Sequence, residues 1–221
     1  MSVIIHGYKF SVYHRIVRMA LLEKNVSFEV VEVNPFSDDL PDDYYDLHPF
    51  GRVPVLVHND FQVYETAAIL RYIDLAFSGK SLVPTGIEAA TRMAQVIAIT
   101  DNYGYWPMVR QVFSHRVFRP LNNLSPNETE ISDGLTNAKD VLRVLDNIVQ
   151  KGSILNGKEI SLADIHLAPM IGYFIKAEEG RTLLNSHISL LEWWKTISQR
   201  ESYISTEPEL PTRRPQSELS M

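Results

Sequence analysis

The 221-residue chain has no cysteine. A disulfide framework, a thiolate metal site and a cysteine nucleophile are therefore all excluded. No segment approaches the roughly 18 consecutive apolar residues that a membrane-spanning helix needs. The start, Met1 to His6, lacks the basic stretch and long apolar run of a secretory signal, so the expected compartment is the cytoplasm. Positive charge is also scarce: 21 lysines and arginines stand against 27 acidic residues, a formal net charge of -6. That balance gives no basic face for nucleic acid. The seven histidines do not fall at metal-ligand spacings, and no metal is expected. There is no internal repeat.

What is present is an ordinary globular composition, 45% hydrophobic and 22% charged, long enough for one large domain or two small ones. Val3, Ile4 and Ile5 form a short apolar run closed by His6-Gly7, as in a buried strand. From Tyr13 to Lys24, Ile16, Val17, Ala20 and Leu21 recur at helical spacing, with Arg15, Arg18, Glu23 and Lys24 assigned to the solvent face. Phe28 to Val33 reads as a second strand, giving a β-α-β unit whose strands should be parallel. The acidic, proline-punctuated stretch from Pro35 to Pro49 reads as a loop with at most one irregular helix. Val53 to His58 and Phe61 to Tyr64 flank a tight polar turn and read as a hairpin. Thr66 to Phe77 is helical, with Ile69, Leu70, Ile73 and Leu75 placed inward.

Ser78 to Gly86 holds two glycines and a proline between long periodic segments and is the best linker in the chain. The expected organisation is a first domain over 1–78, a linker over 79–87, an all-helical domain over 88–205 and a proline-rich tail over 206–221. Helices are expected from Glu88 to about Phe118, Ile131 to Lys151, Leu162 to about Glu179, and Leu190 to about Arg200. Ser161 and Asp164 fit a capping box at a helix start, worth about 0.5–2 kcal/mol.

Several residues invite chemistry. Ser11 follows a strand and precedes a helix, where it could cap the helix or face an anion at the helix N-terminus. Tyr8 and Tyr13 are the rival hydroxyls. Pro54 opens a strand, which leaves neighbouring backbone groups available to an extended peptide. Glu65-Thr66 stands at a helix start, where unsatisfied N–H groups welcome a carboxylate. Concave apolar sites favour domain interfaces, and Tyr103 and Trp106 on the first long helix are candidates for one, although an aromatic stripe at helical spacing is more often core.

Four segments carry a resemblance. Ser11-Val12-Tyr13-His14-Arg15, His48-Pro49-Phe50-Gly51-Arg52-Val53-Pro54, Glu65-Thr66-Ala67-Ala68-Ile69 and Ser161-Leu162-Ala163-Asp164 occur in the order and spacing of the serine-type cytosolic glutathione transferases. The resemblance spans both halves of the chain. It implies a thioredoxin-like first domain (βαβ-ββα, mixed sheet) followed by an all-helical domain, glutathione as substrate, a homodimer and a role in detoxification. By resemblance, Ser11 stabilises the thiolate and Val53-Pro54 is a cis bond whose Val53 backbone pairs with the cysteinyl unit. Thr66 and Glu65 hold the γ-glutamyl end, and Arg52 approaches a peptide carboxylate. The second substrate is then a small hydrophobic electrophile between the domains, near Tyr13, Tyr103 and Trp106. A thiol with a pKa of about 8.5 must be lowered by about two units, roughly 2.7 kcal/mol, to be mostly thiolate near neutrality. Relatives often hold the glycyl carboxylate with basic residues, whereas Asp38, Asp39, Asp42, Asp43 and Asp46 crowd that loop here, leaving His48 and Arg52 as the nearby groups of useful sign. The alternatives are a glutathione-dependent isomerase, lyase or dehalogenase, and a non-catalytic scaffold that keeps the fold.

Overall fold

The computed structural model describes residues 2–37 and 40–211. Asp38 and Asp39 of the acidic loop, and the tail from residue 212, lie outside the described residues. The first half runs β1 (Val3–Gly7), α1 (Val12–Glu23), β2 (Glu29–Glu32), α2 (Tyr44–Leu47), β3 (Val55–His58), β4 (Phe61–Tyr64) and α3 (Thr66–Ala76). Strand order is β2-β1-β3-β4, with β1 parallel to β2 and antiparallel to β3. Central β1 alternates buried and half-buried side chains, the period-2 pattern of a strand with two unlike faces. Edge strand β2 is exposed along its whole length, so its valines satisfy strand propensity without contributing a core face.

The second half is helical. A long rod begins as α4 (Ile87–Ile99), widens into π-helical segments π1 (Thr100–Gly104) and π2 (Trp106–Phe118), and ends as α5 (Arg119–Leu121). Pro107 has no N–H to give to the preceding turn, and the widened winding lies on either side of it. Then follow α6 (Glu128–Gln150), α7 (Leu162–Phe174), α8 (Glu178–Asn185), α9 (Ile188–Ile197) and α10 (Glu201–Ile204). Every residue of α7 is buried, as expected of a helix apolar all round. Among the described residues no helix is long and apolar enough to cross a membrane.

Helix α1 joins the two halves, packing on α3 on one side and on α7 and α10 on the other. Two of its charges were assigned to solvent from periodicity, and the structure corrects both. Arg15 is 1% exposed; its guanidinium donates to the Tyr203 carbonyl at 2.9 Å and lies 4.1 Å from the Tyr203 ring centre. Lys24 is also buried, reaching the Asp74 and Lys80 carbonyls, each at 3.3 Å, and the Asp74 carboxylate at 3.5 Å. Long cationic side chains can bury their stems wherever the head finds acceptors, and here α10 and the 78–86 connection supply them. Asp74 in turn accepts from the Leu82 amide at 2.6 Å, so the connection is pinned to α3. Leu75 reverses the other way: it is 70% exposed, because two residues beyond buried Ile73 it falls on the opposite side of α3. The break between α7 and α8, and the short α10, were not visible in the apolar pattern. Thr206, at the head of the segment set apart as a tail, is buried and receives Arg15 Nε at 3.5 Å.

Candidate active site

The cleft lies at the C-terminal end of β1, where the chain turns into α1 and meets the π-helical rod. Gly7 allows this turn: a Cβ there would stand 2.3 Å from the His14 ring, so any side chain would displace that histidine. Ser11 is the N-cap of α1, with extended backbone, and its Oγ accepts from the His14 amide at 3.3 Å. A hydroxyl that accepts this bond still has its proton to give. Capping and donation to a sulfur are thus compatible, and the helix N-terminus adds a field that favours an anion.

The rival hydroxyls are differently committed. Tyr13 donates to Asp101 Oδ1 at 3.1 Å, the same oxygen that meets His166 Nε2 at 2.7 Å. Burial, then the adjacent Asp101 carboxylate, push the Tyr13 phenol far above its ordinary range. Its ring packs on Tyr105, 4.9 Å between centres. Tyr8 is likewise raised, by burial and by Glu32, and stands edge-on to Phe10 and Phe36. His14, beside Ser11, is driven down to about 4, first by burial and then by Arg18, against the pull of the Tyr8 carbonyl.

The Val53-Pro54 peptide is cis. Val53 stands just beyond the β1–β3 ladder, whose last pair is His6 with Val55, so no strand neighbour claims its backbone. Glu65 holds φ +67° and ψ 114°, a conformation that costs a non-glycine residue on the order of 1–3 kcal/mol and clusters at ligand-holding positions. Thr66 is the first residue of α3 and not its cap: the N-cap is Glu65, which makes no side-chain capping bond. The first intrahelical bond is from Ile69 N to Glu65 O, so the earlier N–H groups of α3 stay open to an anion.

Burial disfavours the charged form of His48. It is 3% exposed, its Nδ1 accepts from the Phe50 amide at 3.3 Å, and burial lowers its pKa. Arg52 is exposed, with its charge felt at both His48 and Tyr105, while that of Glu65 is felt at His48 and Tyr13. The fold therefore gathers Tyr13, Arg52, Glu65 and Tyr105 around one cleft, although 92 residues of chain separate the outermost two.

Trp106 and Tyr103 are both exposed rather than core. Trp106 faces Arg110, whereas Tyr103, on the preceding turn, joins no ring contact among the described residues. The aromatic wall that does form was missed from sequence: Tyr8 on Phe10, Phe10 on Phe118 at 5.2 Å, and Tyr8 on Phe36 at 6.1 Å. Phe10, adjacent to Ser11, was the one available hint. Among the described residues, no three histidine, aspartate or glutamate side chains cluster as metal ligands.

The N-terminal domain model of the glutathione S-transferases matches residues 5–81. Glutathione S-transferase hmp2 of Hypomyces subiculosus is 30% identical over 199 residues, covering 87% of this chain and 92% of that protein. The chain belongs to the glutathione S-transferase family. Glutathione S-transferase F13 of Arabidopsis thaliana is 28% identical over 214 residues, 95% of this chain and 97% of its own. Among solved structures, glutathione S-transferase III in its apo form matches at TM-score 0.83 and 25% identity, covering 97% of this chain and 100% of that one. Glutathione transferase F7 of Populus trichocarpa gives 0.80 at the same identity, over 92% and 97%. This transferase is an enzyme that uses glutathione as substrate, and its mixed four-stranded sheet followed by helices is the family's fold.

Proposed function

We propose that this chain conjugates glutathione to a small hydrophobic electrophile, with Ser11 donating its hydroxyl hydrogen to the thiolate. The observation that carries the reading is Ser11 itself, whose Oγ accepts the helix-capping bond from the His14 amide and still has its proton to give to an anion. The open N–H groups of α3 and the Thr66 hydroxyl receive the γ-glutamyl carboxylate, and Glu65 faces the ammonium. The Val53 backbone pairs with the cysteinyl unit. Arg52 takes the glycyl carboxylate, a task that exposed Asp42, Asp43 and Asp46 cannot share. The ring wall of Tyr8, Phe10, Phe36 and Phe118, joined to Trp106 through Arg110, receives the electrophile, together with the Tyr13–Tyr105 ring pair. Positioning and stabilisation of the thiolate supply the rate, with no covalent enzyme intermediate.

Ser11→Ala is expected to raise the pKa of bound glutathione by about one to two units, roughly 1.4–2.7 kcal/mol, with the fold intact. Thiolate absorbance titrated against pH on the glutathione complex reads this. Coincident titrations of parent and variant would reduce Ser11 to a helix cap, and an absence of glutathione binding by the parent would remove the site reading altogether.

The same reading includes a homodimer acting in cytoplasmic detoxification. Its support is a set of exposed apolar side chains, Phe50, Phe61, Leu75 and Ile87, on and just beyond the sheet domain, more than a solitary surface leucine would require. Sedimentation of the full chain should give twice the 25.3 kDa chain mass. A single-chain mass at micromolar concentration would exclude the dimer.

A further inference from the structure

One charge in the cleft has no part in thiolate chemistry. Arg110 lies on π2, one turn beyond Trp106, with its guanidinium carbon 5.5 Å from the Phe36 ring centre and 6.0 Å from that of Trp106. Phe36 belongs to the loop after β2 and Trp106 to the helical half, so the guanidinium stands where the halves face each other. Four arginines are matched with carboxylates: Arg116 with Glu128 and Glu179, Arg143 with Asp140, Arg200 with Glu23, and Arg15 with Glu207. Arg110 has no carboxylate partner among the described residues; its guanidinium hydrogen-bonds the Tyr105 hydroxyl. Asp101 bonds Tyr13 and His166, Glu32 the Lys9 amide and Glu130 the Gln111 side chain, and none forms an ion pair with Arg110.

A guanidinium that lacks a carboxylate partner and stands beside aromatic rings offers a fork of N–H donors that fits a planar anion in two-point contact. The rings around it are the ones that would take up an aromatic substrate. We propose that the second-substrate cleft selects aromatic electrophiles that carry a carboxylate, with Arg110 receiving the carboxylate while Phe10, Phe36 and Trp106 enclose the ring. This rests on the cleft being the electrophile site described above. The rival ligand for Arg110 is the glycyl carboxylate of glutathione. Both arginines are felt at Tyr105, but only Arg110 stands beside the Phe36 and Trp106 rings, while Arg52 shares His48 with Glu65 and is assigned to that carboxylate.

A matched pair of substrates tests the assignment: 4-chloro-3,5-dinitrobenzoate and the corresponding benzamide. In each the thiolate sulfur attacks the chlorine-bearing carbon, the C–S bond forms, the C–Cl bond breaks and chloride leaves with the bonding pair, the thiol proton having gone to solvent. Rates are divided by those of the uncatalysed reactions with glutathione. Alongside, calorimetry on the glutathione-saturated full chain compares 4-nitrobenzoate with 4-nitrobenzamide, which reads binding without turnover. The parent should prefer the carboxylate in both measurements, and Arg110→Met should reduce that preference by about tenfold to a hundredfold. Arg110→Lys should recover part of it, as a point charge without the fork. Equal binding of the two nitrobenzene compounds by the parent would overturn the proposal, as would a preference that survives in Arg110→Met. A raised glutathione KM with the preference intact would reassign Arg110 to the glycyl carboxylate and overturn it too. A carboxylate preference in calorimetry without turnover of either chloride would uphold the Arg110 subsite and sink the transferase reading of the cleft instead.

Discussion

Replacing Asp164 by alanine should lower the unfolding free energy by about 3–5 kcal/mol, well beyond the value of a helix cap. Sequence pattern assigns this residue one task, reaching back to Ser161 at the start of α7. The structure adds a second. Asp164 is 2% exposed; its Oδ2 accepts from the Ser161 amide at 2.9 Å and the Ser161 hydroxyl at 2.6 Å, and its Oδ1 accepts from the Trp193 indole at 2.8 Å. Alanine strands three donors at once, and a buried polar group left without a partner costs about 1–3 kcal/mol. The indole lies on α9, so the loss also loosens the packing of α9 against α7, the helix that carries His166 beneath the cleft. Urea melts measure the effect. Asp164→Asn keeps one acceptor oxygen and should fall between parent and alanine. A loss below about 1 kcal/mol in the alanine variant would mean that the indole finds another acceptor.

Acidification should destabilise the protein steeply below pH 6.5, and His14 is the group to examine. Its imidazole is 2% exposed, held against the Tyr8 carbonyl at 3.1 Å, and burial depresses its folded pKa to about 4. The unfolded imidazole takes up its proton near pH 6.5. Between those values the unfolded state binds more protons, so the stabilisation is fully present above pH 6.5 and is lost as pH falls toward 4. A depression of this size corresponds to a loss on the order of 3 kcal/mol across the window. Carboxylates titrate at the lower end as well, so the informative quantity is a difference of slopes. His14→Phe keeps a ring against Gly7 and removes the titration, and its stability should fall between pH 6.5 and 5 by about one proton's worth less per pH unit than that of the parent. Urea midpoints at four pH values would show it. Equal slopes would mean that His14 takes up its proton in the folded state.

The order of strands and helices was legible in the chain because each element carries its own period. Val3, Ile4 and Ile5 mark β1; Ile16, Val17, Ala20 and Leu21 mark α1; Ile69, Leu70 and Ile73 mark α3. The four family-like segments were legible for a related reason, since Ser11, Val53-Pro54, Glu65-Thr66 and Ser161-Asp164 act through local geometry: a helix cap, a strand start, a helix start and a capping box. Residues that act through distant partners were not. Arg15 and Lys24 read as solvent-facing charges until α10 and the 78–86 connection provided carbonyls. His48 read as a cation until burial against Tyr64 made its charged form unfavourable.

Sequence by itself thus determined the fold and the exclusion of cysteine chemistry, and it marked the residues proposed to hold glutathione, because backbone conformation and N-terminal helix fields are properties of a few consecutive residues. Tertiary structure alone assembled the ring cluster proposed for the electrophile. Phe10, Phe36, Trp106, Arg110 and Phe118 lie up to 108 residues apart along the chain and meet only when α1 docks on α7 and the π-helical rod turns its face to the sheet domain. Tertiary structure also decided that the Tyr13 hydroxyl is committed to Asp101, by a contact across 88 positions that no local pattern encodes.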